Sequence, residues 1–193
     1  MSAMLQTKTT VAEYLKFDRQ SEFKNEYFDG QIYMMAGVSS RHNLILMSLG
    51  SALYARVRGK GCSVYGSDMR VKMEATGSYA YPDLSLVCGT PRYENSRPET
   101  LLNPKVIFEI LSLSTERRDR GIKLRHYREI ESLSDYVLIS QSAFHIEHHS
   151  RLPDDTWLFT DVLGYDASLT LPTLDSEIKL AEIYEQVELE AGS

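Results

Sequence analysis

Two cysteines, Cys62 and Cys88, are all that this 193-residue chain contains, too few for a disulfide framework or a cysteine zinc cluster. Both sit in apolar, strand-like runs and read as buried free thiols of a reducing compartment. No apolar run approaches the roughly 18 residues of a membrane span, and the polar opening MSAMLQTKTT lacks the apolar stretch of a secretory leader. A cytoplasmic protein with no membrane contact is the expectation. Repeats, low-complexity tracts and a linker are missing too, so one domain over 1–193 is expected. There is no phosphate-cradling GxxxxGK loop, no GxSxG elbow and no Cys–His nucleophile pair.

The C-terminal third is short of basic residues. Residues 131–193 hold 2 Lys or Arg against 13 Asp or Glu, net −11, whereas residues 1–130 hold 19 against 14, net +5. The whole-chain charge of −6 argues against a polyanionic partner only because it averages these two regions. At 42% hydrophobic residues the chain has material for a real core.

Thr9 or Thr10 can cap a short helix through VAEYLKF. Asp29-Gly30, between two aromatic-rich runs, signals a hairpin, because both central residues of a type I′ turn need positive φ. Ser39 or Ser40 caps a helix over about 41–58 that has no acidic residue. Short strands follow at CSVYG and DMRVKM, the second alternating Met69, Val71 and Met73 with Asp68, Arg70 and Lys72, a charged face that is either exposed or turned toward phosphate. Strands at 81–88 and 105–111 flank a Pro/Gly/Asn-containing loop. Ser114 or Thr115 caps a basic helix to about Ile130, and YVLIS reads as a buried strand. HIEHH, the 157–160 region and 169–171 form a small antiparallel annex, and a last helix at 180–187 leads into an acidic tail.

Two carboxylates interrupt the apolar strands: Asp83 in YPDLSLVC and Glu109 in KVIFEIL. A lone carboxylate in a core costs several kcal/mol unless it is paired, protonated or bound to a cation. A salt bridge, or an alternation that turns each to solvent, would satisfy them singly. On neighbouring strands about 5 Å apart, the two can instead converge on one hard cation, for which oxygen-only donors suit Mg²⁺ or Mn²⁺. The helix after Glu109 is net +3, and its Asp119, Lys123 and Tyr127 share one face at i, i+4, i+8. Lys123 can therefore lean back toward Glu109; the plain alternative is a surface Asp119–Lys123 pair. His145, His148 and His149 alternate across a strand taken as exposed, which disfavours a metal site there. Tyr79 and Tyr81 belong to the core or stack on a base.

The run Pro82-Asp83, Glu109, FEILSLSTERRDRGIKLRHY, with EYFDGQIYMMAG, SRHN and SDMRV before it, resembles the cyanobacteria-rich Uma family of restriction-endonuclease-like proteins, within the PD-(D/E)XK nuclease superfamily. The similarity runs from about Ala12 to Ser140. It implies an α/β fold with a restriction-endonuclease-like αβββαβ core, a mixed sheet, an N-terminal hairpin and a small C-terminal annex (141–193). It also implies metal ligation by Asp83, Glu109 and the backbone carbonyl of Ile110, with Lys123 as the third catalytic group. The chain departs from the superfamily in placing Leu111 where the motif lysine belongs, and in having no glutamate on the helix before the sheet. Glu26 and His42 match family positions and, with Asp119 and Tyr127, are accessory candidates. Pairing across the hairpin for Glu26, and a share in the helix cap for His42, are equally open.

The function this points to is metal-dependent endonucleolytic hydrolysis of DNA, with Mg²⁺ or Mn²⁺ as cofactor and DNA as partner; a homodimer would suit the cutting of both strands. The rival readings are a non-catalytic nucleic-acid-binding or protein-interaction module on the same fold, and a metal-dependent hydrolase of a small phosphorylated substrate.

Overall fold

A computed structural model describes residues 8–35, 37–95 and 98–189. The start of the sequence over which no leader is read, residues 1–7, and the end of the acidic tail lie outside these. Thr10 caps α1 (Val11–Gln20) through a reciprocal capping box with Glu13. The hairpin β1 (Asn25–Phe28) and β2 (Gln31–Met34) turns at Asp29 and Gly30, with φ of 52° and 86°. Ser39 caps α2 (Ser40–Val57), its hydroxyl accepting the His42 N–H. Then come β3 (Cys62–Gly66), β4 (Arg70–Met73), β5 (Ser78–Ala80), β6 (Leu84–Cys88), β7 (Thr100–Leu101) and β8 (Val106–Ile110). The expected basic helix is shorter and composite: α3 (Glu116–Arg118), a π turn (Asp119–Lys123) and α4 (Leu124–Tyr127). The chain closes with β9 (Asp135–Ile139), β10 (His145–Arg151), β11 (Trp157–Leu163), β12 (Ser168–Leu171), β13 (Ser176–Lys179) and α5 (Leu180–Ile183). The last helix therefore stops short of the expected Val187.

Two sheets and a hairpin result. The main sheet runs β11-β10-β9-β8-β6-β3, antiparallel except for the parallel β8–β9 pair; the second runs β2-β1-β5-β4-β7; β12 and β13 pair separately. Strand β8 shows how the main sheet is held. Val106, Phe108 and Ile110 join one core with Ile45, Leu49 and Leu53 of α2 and Leu180 and Ile183 of α5. Ile107 and the following Leu111 join the opposite core with Val71, Met73, Tyr127 and Tyr136. Such a strand, buried on both faces, reads as a nearly continuous apolar run, and Glu109 is the charged residue left within it. Strands β10 and β11 continue the main sheet, and Leu169, Leu171 and Ile178 enter the α2 core, so the acidic third packs with the rest.

Several expectations are corrected. Cys62 and Cys88 are not free thiols: they stand directly opposite one another in the β3–β6 register, 4.0 Å apart at Cα, and form a disulfide. Their spacing along the chain could not reveal that pairing, which the register alone creates. The charged face read at β4 is divided: Arg70 is buried against Asp18 and Thr100 and Lys72 binds Glu94, whereas Asp68, just before the strand, is exposed, as one alternative had it, and binds Lys24. Strand β10 is interior, so His148 and His149 are buried; His148 pairs with Asp135 and His145 with Asp161. Tyr79 is core, and the Tyr81 hydroxyl donates to Asp18. Among the described residues no helix is long and apolar enough to cross a membrane.

Candidate active site

Asp83 lies just before β6 and not inside a strand. The β6–β8 register pairs Leu84 with Phe108, so the next step outward sets residue 83 beside Glu109. Both Asp83 oxygens are engaged: Oδ2 accepts the Ile110 N–H at 2.7 Å, and Oδ1 lies 3.0 Å from His42 Nε2. The two alternatives for His42 thus coexist, its backbone in the α2 cap and its ring on Asp83.

Glu109 meets the π turn. Lys123 Nζ sits 2.9 Å from Glu109 Oε1, 2.9 Å from Glu26 Oε1 and 3.2 Å from Asp119 Oδ1. The Tyr127 hydroxyl donates to Glu109 Oε1 at 3.0 Å. A π turn is wider than an α turn, and here both of its end residues, Asp119 and Lys123, are buried. The surface-pair alternative for them therefore fails. The Tyr136 hydroxyl donates to the Asp119 carbonyl and ties the turn to β9. Glu26 does not pair across its hairpin, where Tyr33 stands opposite; it is buried, accepts the Tyr81 N–H and lies 3.6 Å from Arg118. Leu111 points into the core, and Lys123 supplies the ammonium instead.

These groups share a cavity of about 990 Å³, lined by Glu26, His42, Asp83, Glu109, Ile110 and Lys123; Asp119 and Tyr127 stand behind them. Its charge is lopsided: Glu26, Glu109 and Asp119 surround the buried Lys123 ammonium, with Arg118 also beside Glu26, and Asp83 faces His42. Burial, reinforced by Asp119, Asp83 and Glu26 against the pull of Lys123, raises the Glu109 pKa well above its ordinary 4.5. Burial works against the Lys123 ammonium as well, but Glu109, Glu26 and Asp119 outweigh it and hold its pKa well above 10.5. Asp119 Oδ1 has the charge contact with Lys123 but no hydrogen bond.

Gln141, just past β9, escaped the sequence reading. Its amide nitrogen donates to the Leu111 carbonyl at 2.7 Å and lies 3.4 Å from His42 Nδ1, while its oxygen accepts from Ser39 Oγ at 2.6 Å. The usable signal was topological: the C-terminal ends of the parallel strands β8 and β9 lie side by side.

The mixed sheet with flanking helices is a restriction-endonuclease-like fold. The sequence profile of Uma2, described as "Putative restriction endonuclease", matches residues 11–182, and the chain belongs to that family. It is 32% identical over 160 residues to the "Uncharacterized protein sll1609" of Synechocystis, spanning 83% of this chain and 90% of the relative. With "Uncharacterized protein slr1290" of the same organism it shares 36% over 161 residues, 83% of this chain and 82% of that one. The crystal structure of a "putative nuclease belonging to DUF820" from Anabaena variabilis superposes with a TM-score of 0.75 at 16% identity, covering 91% of this chain and 97% of that one, which shows a common fold.

Proposed function

We propose that this protein is an endonuclease that hydrolyses phosphodiester bonds in DNA with Mg²⁺ or Mn²⁺. The observation that carries the reading is the buried excess of negative charge at the cavity floor. Four buried carboxylates, Glu26, Asp83, Glu109 and Asp119, share this place with two cations, Lys123 and Arg118, and the raised Glu109 pKa marks a site that takes up either a proton or a cation. The donors fit a hard cation: oxygen only, with few protein ligands needed because Mg²⁺ keeps much of its water. Among the described residues no group of three or more His, Cys, Asp or Glu is arranged as a metal cage.

Asp83, Glu109 and the Ile110 carbonyl would hold the cation, which when bound supplies Lewis-acid activation of the phosphate and acidifies the attacking water. The chain's own groups do the rest. The Ile110 N–H and His42 fix the Asp83 carboxylate from both sides. Glu26, Asp119 and Glu109 keep Lys123 charged in a buried place, where an ammonium stabilises negative charge developing on phosphate oxygen and orients water far better than in bulk solvent. Tyr127 holds Glu109 toward the same point.

The test is plasmid nicking with Mg²⁺ or Mn²⁺. Asp83→Asn, Glu109→Gln and Lys123→Met are each expected to abolish it. Wild-type rates in Glu109→Gln would place the activity elsewhere, and DNA binding without cleavage in either metal would leave a non-catalytic binding module.

A further inference from the structure

Leu113 is 97% exposed at the tip of the turn that joins β8, which carries Glu109, to the helical run that carries Lys123. The turn is stiff. The Thr115 N–H donates to both Ser112 Oγ and the Ser112 carbonyl, the Glu116 N–H donates to that carbonyl at 2.8 Å, and the Ser112 N–H returns a bond to Thr115 Oγ1. Leu113 is therefore a fixed apolar projection with little backbone freedom left to lose on contact. It lines the mouth of the site cavity together with Met34, 63% exposed, and Val38, 58% exposed. Clustered apolar side chains around one cavity call for a partner in a way that scattered ones do not.

The lining of that cavity identifies the partner. Arg41 and Arg118 and the hydroxyls of Ser112 and Ser114 share the mouth with the apolar tip. Guanidinium and hydroxyl groups suit phosphate, and a rigid aliphatic wedge suits the face of an unstacked base, the combination by which DNA-bending proteins open a base step.

We propose that Leu113 enters a base step beside the scissile phosphate, so that the DNA preferred is a duplex already weakened at one step. This inference rests on the nucleic-acid reading of the site above. Opening a matched step is costly, while a mismatched or damaged step is partly open beforehand. The test is binding of the full chain by fluorescence anisotropy, with Ca²⁺ replacing Mg²⁺, to a matched duplex and to the same duplex with one central mismatch. Wild type is expected to bind the mismatched duplex about tenfold tighter, Leu113→Phe to keep that preference, and Leu113→Ser to reduce it to about twofold or less. Equal binding of both duplexes by wild type, or an undiminished preference in Leu113→Ser, overturns the proposal. So does Leu113-dependent self-association, read by sedimentation, in place of a mismatch preference. A mismatch preference in a protein that never nicks DNA would sink the hydrolase and keep the wedge; nicking with no such preference would do the reverse.

Discussion

Two buried ionic clusters lie on the same side of the main sheet, and their bookkeeping differs. Around Arg70, one cation faces one anion. Nη1 donates to Asp18 Oδ2 at 2.9 Å, Nε and Nη2 donate to Thr100 Oγ1, and the other Asp18 oxygen accepts the Asn25 N–H. That cluster is closed, as a buried ion pair must be to offset its desolvation. Around Lys123, Glu26, Glu109 and Asp119 face that one ammonium, with Arg118 reaching Glu26 alone at 3.6 Å and Asp83 adding its field, and Asp119 Oδ1 takes no hydrogen bond. The fold closes one cluster and leaves the other with surplus negative charge beside a cavity, where the proposed chemistry would lie.

Lys123→Met should break this contrast most severely. Three buried carboxylates would lose their counterion, at about 3–5 kcal/mol in urea unfolding, together with all nicking; a variant that melts like wild type would show that the surplus charge is not felt. Asp18→Ala should cost about 3 kcal/mol by stranding the Arg70 guanidinium, yet nicking per folded molecule at low temperature should stay near wild type, since Asp18 lies outside the site cavity. Loss of nicking there would merge the two clusters into one functional unit. Mg²⁺ at a hundredfold excess over its Kd should stabilise wild type and Asp18→Ala by about 2.7 kcal/mol, and Glu109→Gln hardly at all.

The smallest effect is a pH dependence of the metal-free protein. Because the folded pKa of Glu109 is raised above 4.5, the folded state holds a proton that the unfolded chain has released. Stability in EDTA should therefore fall as pH rises from about 4.5 toward the folded pKa. Glu109→Gln should lack that decline and be the more stable protein at neutral pH. A parallel decline in both proteins, followed by denaturation across pH, would assign the titration to another group.

Much of the site was readable because Glu109 violates a pattern. Between Phe108 and Ile110, in a strand apolar on both faces, its carboxylate had to be explained, and the i, i+4, i+8 spacing supplied Lys123 and Tyr127, which meet it, and Asp119, which meets Lys123. Alternation misled on β4, where Arg70 and Lys72 look like a solvent face. A second layer, α1 and the loop bearing Glu94, covers that face and supplies carboxylates to it. The same blindness applied to β10, taken as exposed although the Tyr136 and Phe159 rings pack on His149 and Asp135 binds His148.

Local chemistry determined what neighbouring residues settle among themselves: the Thr10 and Ser39 caps, the Asp29-Gly30 turn and the strands. Tertiary structure alone decided which distant groups share a place. It brings Glu26 to Lys123 from the other sheet, Gln141 to His42 past a parallel strand end, and Cys62 to Cys88 across a register. The physical reason is that hydrogen-bond caps and turns act within a few residues, whereas sheet order and register depend on which apolar faces bury one another, a property of the whole chain.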